Sequence, residues 1–206
     1  MRCSNPDNKI TVTKPTDTTG SKTPMRDTVV YLTENYMDLF IIQSKEIKIN
    51  RKANKPFNKL DYNKVIAYNY DSKGEGIIYI ITDCKLAPTV KQQKELTQEQ
   101  VDSLTNYLGQ SSTYGGNRAF CFLPHLGIVF YKDRKIVEHI SICLECNYLR
   151  SLTTIPATEA KKFKMDDGFE YPAEGFSKIG RQKINSLCMQ LGFSNCADTL
   201  NAMFDE

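Results

Sequence analysis

Residues 118–142 constrain the fold of this chain more than any other segment. Three apolar stretches, 118–123 (RAFCFL), 127–132 (GIVFYK) and 135–142 (KIVEHISI), follow one another with only a few residues between them. Each has the length and side-chain content of a strand. Connections this short cannot cross over to a parallel neighbour, so the three predict an antiparallel meander. A second pair of strands, 64–70 (KVIAYNY) and 76–82 (GIIYIIT), is separated by Asp71, Ser72, Lys73, Gly74 and Glu75, a connection suited to a hairpin.

Helical signals lie on either side of the meander. In 97–108 (TQEQVDSLTNYL), Thr97 and Gln100 make a capping box and Val101, Leu104, Tyr107 and Leu108 share one face. Gly109 is placed to end that helix. Ser177 can cap a second helix running to Leu191, with Ile179, Ile184, Leu187, Cys188 and Leu191 mostly on one side, and 194–204 suits a short third one. The expected fold class is therefore α+β: a mainly antiparallel sheet with one amphipathic helix in mid-chain and one or two C-terminal helices.

Several stretches are less regular. An apolar run at 29–32 and the alternating 46–50 (EIKIN) suit strands, and 34–44 fits helix or strand equally. An extended connection through Pro88 precedes the first helix, Tyr114, Gly115, Gly116 and Asn117 read as a turn, and 152–173 reads as irregular. No internal repeat is present at a solenoid period.

The first 27 residues differ from the rest. They contain no aromatic side chain and are rich in Thr, Pro, Asp, Asn, Lys and Ser, so they predict a disordered tether ahead of one α+β domain at 28–206. The sequence as given has no charged and then apolar leader. Cys3, followed by Ser4, Asn5 and the polar tether, nevertheless has the form of a lipidated cysteine opening a mature lipoprotein. That form predicts a cell-envelope or periplasmic location with membrane contact only through an anchor on Cys3. The alternative is a free cysteine in the tail of a cytoplasmic protein. Setting Cys3 aside leaves Cys84, Cys121, Cys143, Cys146, Cys188 and Cys196, enough for three bridges in an oxidising compartment.

Charge excludes some partners. With 27 Lys plus Arg against 24 Asp plus Glu, the net charge of +3 is too small for a nucleic-acid footprint, and the longest apolar run, 77–81, is far short of a bilayer span. The charges are nonetheless segregated. Lys45, Lys48, Arg51, Lys52, Lys55, Lys59 and Lys64 face only Glu46 and Asp61 within 45–64, while 166–206 holds seven acids against three bases. Either segment is a candidate surface for a partner of complementary charge, and either is also what a solvated face looks like.

Chemistry concentrates in 121–146, which carries Cys121, His125, His139, Cys143 and Cys146. With Asp133 and Arg134 at a loop tip, opposed residues sum to 267, so Tyr131 faces Ile136, Val129 faces Glu138 and Cys121 faces Cys146. Pro124 interrupts that extrapolation, because proline sits at strand edges and bulges. Cys121, His125, Cys143 and Cys146 supply a C-x3-H and a C-x2-C pair, a ligand set for structural zinc. Cys143 and Cys146 alone form a C-x2-C redox pair, although at a strand end and not at the helix N-terminus such pairs use. The remaining reading is buried thiols or structural cystines. No nucleophile elbow or phosphate loop occurs, and Glu138 with Glu145, or Asp166 with Asp167, are carboxylate pairs by proximity alone.

The block with Cys121, Pro124, GIVFY at 127–131 and HISICLEC at 139–146, preceded by a YGG turn, resembles a family of small uncharacterised bacterial proteins. Many of these carry a lipoprotein-type signal. The resemblance spans about residues 65–150 and implies an α+β architecture and a lipoprotein, with no catalytic residue; no cofactor is expected from the sequence as a whole, with zinc as the alternative. The sequence as a whole thus predicts a non-enzymatic, envelope-associated interaction protein with a protein partner, of the immunity type that occludes a toxin. The alternative is a zinc-binding or thiol-redox protein built on Cys121, His125, Cys143 and Cys146.

Overall fold

The computed structural model describes residues 46–72, 79–164, 166, 168–194 and 196. Cys3, the tether, the expected elements at 29–32 and 34–44, and nearly all of the third helix lie outside the described residues. In chain order the strands are β1 (Lys64–Tyr70), β2 (Ile81–Thr82), β3 (Lys85–Leu86), β4 (Val90–Glu95), β5 (Tyr114–Gly116), β6 (Leu126–Lys132), β7 (Lys135–Cys143), β8 (Tyr148–Ser151), β9 (Lys162–Lys164), β10 (Glu170–Pro172) and β11 (Gly175–Phe176). The helices are α1 (Gln98–Leu108) and α2 (Lys178–Leu191). The fold is α+β and mainly sheet, as expected.

The central element is a five-stranded antiparallel sheet in the order β4-β1-β6-β7-β8. Its middle strands are buried on both faces, which explains why β1 and β6 read as almost unbroken apolar runs. Val65, Ala67, Ile128 and Phe130 point into the larger core with Val101, Leu104 and Leu108 of α1 and Ile184 and Leu187 of α2. Ile66, Tyr68, Tyr70, Val129 and Tyr131 point the other way, into a smaller core closed by Ile80, Ile81, Leu86 and Ala87. Within it the hydroxyls of Tyr68 and Tyr131 meet at 2.8 Å, so each buried phenol has a partner.

Occupied edges account for three differences from the expected pairing. β1 is flanked by β4 and β6, so it has no edge left for residues 76–82. Of that stretch Ile81–Thr82 pairs with β3, and 76–78 lie outside the described residues. β6 is flanked by β1 and β7, so 118–123 is excluded from the sheet and the meander is β6-β7-β8. The stretch at 46–50 joins no ladder, although the Ile47 N–H donates to Asn63 O at 2.8 Å.

The turn at Asp133 and Arg134 forms as expected, with Lys132 opposite Lys135 and Tyr131 opposite Ile136. A bulge between Phe130 and Tyr131 then shifts the register by one, so Val129 faces His139 and Phe130 faces Glu138. The Glu138 side chain is buried, and its carboxylate accepts N–H bonds from His139 (2.9 Å), Leu152 (2.9 Å) and Thr153 (3.0 Å). Burial is the larger effect and holds the Glu138 carboxyl above its ordinary range, against these donors. The folded protein therefore binds this proton more readily than the unfolded chain. The contribution is fully present below about 4.5, the ordinary value, and is lost as pH rises through the higher folded value. Urea unfolding of the parent and of Glu138→Gln across pH 4 to 8 should show the parent losing stability relative to the variant as pH rises.

Both helices carry the caps foreseen. The Thr97 side chain accepts from Gln100 N and the Gln100 side chain accepts from Thr97 N at 3.0 Å; Thr97→Ala should cost about 1 kcal/mol in thermal unfolding. Ser177 caps α2 and Gly192, at φ 67°, ends it in the left-handed region. Ile179 falls outside the buried face, which comprises Ile184, Leu187, Cys188 and Leu191. A Cys188–Cys196 disulfide ties the end of α2 to the following residues.

Candidate functional site

β7 and β8 are joined by a turn in which Asn147 adopts φ 63°, a conformation asparagine tolerates better than most residues. The turn brings Cys143 and Cys146 together: the Cys146 N–H donates to Cys143 Sγ at 3.0 Å. Residues 117–123, excluded from the sheet, drape across this turn. Ala119 N donates to Cys146 O (3.0 Å), Leu123 N donates to Cys146 Sγ (3.4 Å) and Tyr148 OH donates to Cys121 O (2.8 Å). These bonds on either side of Cys121 hold its segment against Cys146. The juxtaposition expected from the strand register is therefore present, although a loop and not a strand delivers Cys121.

His125 faces elsewhere. Its Nδ1 lies 3.2 Å from Tyr70 O and its Nε2 3.9 Å from Glu145 Oε1, so three sulfurs are gathered without the histidine. Among the described residues no group of three or more His, Cys, Asp or Glu side chains is arranged to hold a metal ion. His139 is largely buried, and burial lowers its pKa. Glu138 and Glu145 do not act together: the first is fixed by backbone N–H groups, and the second lies beside His125. Asp166 is exposed, and Asp167 lies outside the described residues.

The thiols are poor nucleophiles where they stand. Partial desolvation by its neighbours, followed by the interaction with Cys146, pushes the Cys121 thiol up to about 11 although the residue as a whole is exposed; burial does the same to Cys146, also to about 11, and raises Cys143. A thiol of that pKa is thiolate in only about one part in ten thousand at pH 7. Iodoacetamide should alkylate Cys121 slowly at pH 7 and about tenfold faster per pH unit until about 11, as read by mass spectrometry.

Above the thiols lies a small aromatic layer. Phe122 packs on Tyr148 with ring centroids 4.8 Å apart, and the two share a core with Cys143 and Cys146. Arg118 and Arg150 sit over the Tyr148 ring at 5.1 and 5.0 Å. Both guanidiniums turn to one carboxylate, Glu174, at 3.2 and 3.9 Å. The wall they form therefore retains a net positive charge.

Beside this wall opens a cleft of about 390 Å³ lined by Arg118, Phe120, Phe163, Tyr171, Pro172 and Glu174, with Gly116 and Asn117 at its base. The small sheet of β9 and β10 presents Phe163 and Tyr171, stacked at 6.0 Å, and the 117–123 loop presents Phe120. Phe120 is 103% exposed, and Phe163 and Tyr171 are each more than 40% exposed. Close approach of neighbouring backbone to Gly116 and Gly175 fixes the base: a Cβ on Gly116 would strike Phe176 O, and one on Gly175 would strike Asn117 O.

These residues come from stretches read as a turn, a strand and an irregular region, so the cleft was not foreseen. The one available signal was the set Phe163, Phe169 and Tyr171 within an otherwise polar segment. The basic segment is placed apart from it: Arg51, Lys52 and Lys55 line a shallow hollow with Ser111 and Ser112, and Lys64 pairs with Glu95 at 3.6 Å. Lys45 is outside the described residues. Of the acidic C-terminal region, Glu170 pairs with Lys162 at 3.6 Å and Glu174 with the two arginines. No helix among the described residues is long and apolar enough to cross a membrane. Comparison of the chain with protein-family models, with curated proteins and with solved structures finds no match.

Proposed function

We propose that the protein is a non-enzymatic, envelope-associated interaction protein that engages a protein partner through the aromatic cleft. The observation that carries this reading is Phe120, a large apolar side chain held wholly in solvent next to the exposed rings of Phe163 and Tyr171. Water-exposed aromatic clusters are costly to maintain, and rimmed by Arg and Glu they have the composition of a protein interface and its energetic centre. Arg118 and Arg150 share a single carboxylate, so the complementary partner segment carries an apolar anchor followed by an acidic side chain.

Occlusion of a toxin is a task this surface suits, since it needs a rigid anchor pocket and no chemistry. Envelope association rests on Cys3 and the polar tether behind it, and an acyl mass on Cys3 in protein from its own host would test that part.

The cleft itself is tested by selecting displayed peptides on the purified protein and measuring their affinity for the parent, Phe120→Ala and Tyr171→Ala. The expected peptides pair an aromatic or aliphatic residue with Asp or Glu, and each substitution weakens them at least tenfold while the melting temperature is unchanged. Peptides that bind all three proteins equally would place the working surface elsewhere.

A further inference from the structure

Cys121 is an exposed thiol at the edge of the cleft, next in sequence to Phe120, and the chain on both sides of it is bonded to the buried Cys146. The chain around the pair is already in place. Ala119 N and Leu123 N both bond to Cys146, and the Cys121 carbonyl is held by Tyr148 OH. Two sulfurs brought together by a bonded framework can be joined with little loss of chain freedom beyond what folding has fixed.

We infer that Cys121 and Cys146 are a disulfide-forming pair that latches the Phe120 segment onto the β7–β8 turn. Its consequence for binding rests on the cleft reading above; the cross-link itself does not. The co-reactant is a low-molecular-weight disulfide. Cys121, the reachable sulfur, loses its proton and attacks one sulfur of that disulfide, which expels one small thiolate and leaves a mixed disulfide on Cys121. Cys146 then loses its proton and attacks Cys121 Sγ, which expels the second small thiolate. The net change is two protein thiols and one small disulfide converted to one cystine and two small thiols. The protein sulfurs are oxidised by two electrons and the reagent is reduced by two.

Cys143 is the competing partner for Cys146, since the two lie in a C-x2-C turn. It is as fully buried as Cys146, its sulfur accepts the Cys146 N–H, and no external disulfide reaches it before the exposed Cys121. The high thiol pKa values at Cys121 and Cys146 make entry slow and the finished bond hard to reopen, which suits a latch and not a catalyst.

The test is incubation of the full-length chain with oxidised glutathione, followed by non-reducing digestion and mass spectrometry, with the Cys188–Cys196 peptide as internal reference. The expected product is a peptide joining Cys121 to Cys146, formed by the parent and by Cys143→Ser and absent from Cys121→Ser. Amide hydrogen exchange across 117–123 should slow at least tenfold once the link forms. A Cys143–Cys146 link in the parent, a lasting glutathione adduct on Cys121, or thiols that remain free would each overturn the pair. A link that leaves exchange in 117–123 unchanged would overturn the latch. A latch that forms while Phe120→Ala leaves peptide binding intact would defeat the cleft reading alone.

Discussion

Arg181→Ala is expected to destabilise the protein by about 3 kcal/mol, a large share of the stability of a domain this size. Arg181 is only 2% exposed on the inner face of α2, and its guanidinium donates to Leu144 O (2.5 Å) and Asn147 Oδ1 (3.0 Å). Both acceptors belong to the turn between β7 and β8. Truncation would strand them away from water and leave a void where the side chain passes. The damage would spread through Asn147, whose side-chain amide donates to Asn117 O (2.6 Å) and Phe176 O (3.0 Å) and so ties the turn to the base of the cleft. Urea unfolding should register the loss, and Arg181→Lys should recover part of it by reaching one acceptor. Stability unchanged within 0.5 kcal/mol, on the order of a surface substitution, would show that α2 does not support the turn.

Gly127→Ala is expected to cost about 2 to 3 kcal/mol for the opposite reason, too much volume. Gly127 is the second residue of β6, opposite Tyr68 on β1 and Ser141 on β7. A Cβ there would run into the Ile80 side chain, with Ile80 Cβ at 2.6 Å and Cδ1 at 2.7 Å. Ile80 cannot withdraw easily, because it is fully buried and its backbone bonds both to Ser141 Oγ (2.9 Å) and to Ala87 N (2.8 Å). Substituting Ile80→Ala as well should make the Gly127→Ala change less costly, giving a coupling of about 1 kcal/mol or more in a double-mutant cycle. Strict additivity would mean that the strand shifts to accommodate the methyl group.

The elements legible in the sequence are those whose signals are local. The Thr97 and Gln100 box, the Ser177 cap and the apolar runs of β1, β6 and β7 depend on residues a few positions apart. β4 was invisible because an edge strand reading VKQQKE exposes five of its six side chains and leaves no apolar alternation. Residues 118–123 read as a strand on equally good local grounds and were displaced by a long-range event, the pairing of β1 with the only free edge of β6. The site divides in the same way. The meeting of Cys121 with Cys146 could be extrapolated from one turn, and the bulge at Phe130 moved the register by a single residue without separating them. The aromatic cleft could not, because Phe120 and Tyr171 are brought together only when β5 pairs with β11 and the β9–β10 sheet folds over the base.

The central claim is that Phe120 marks a working surface, and the most direct measurement is site-specific photocrosslinking in the native host. A photoreactive residue at position 120 should capture one defined protein, and Tyr171→Glu in the same chain should abolish the adduct. The same probe at Met189, an exposed apolar position on α2, should not capture it. No adduct from position 120, or the same adducts from 120 and 189, would contradict the account.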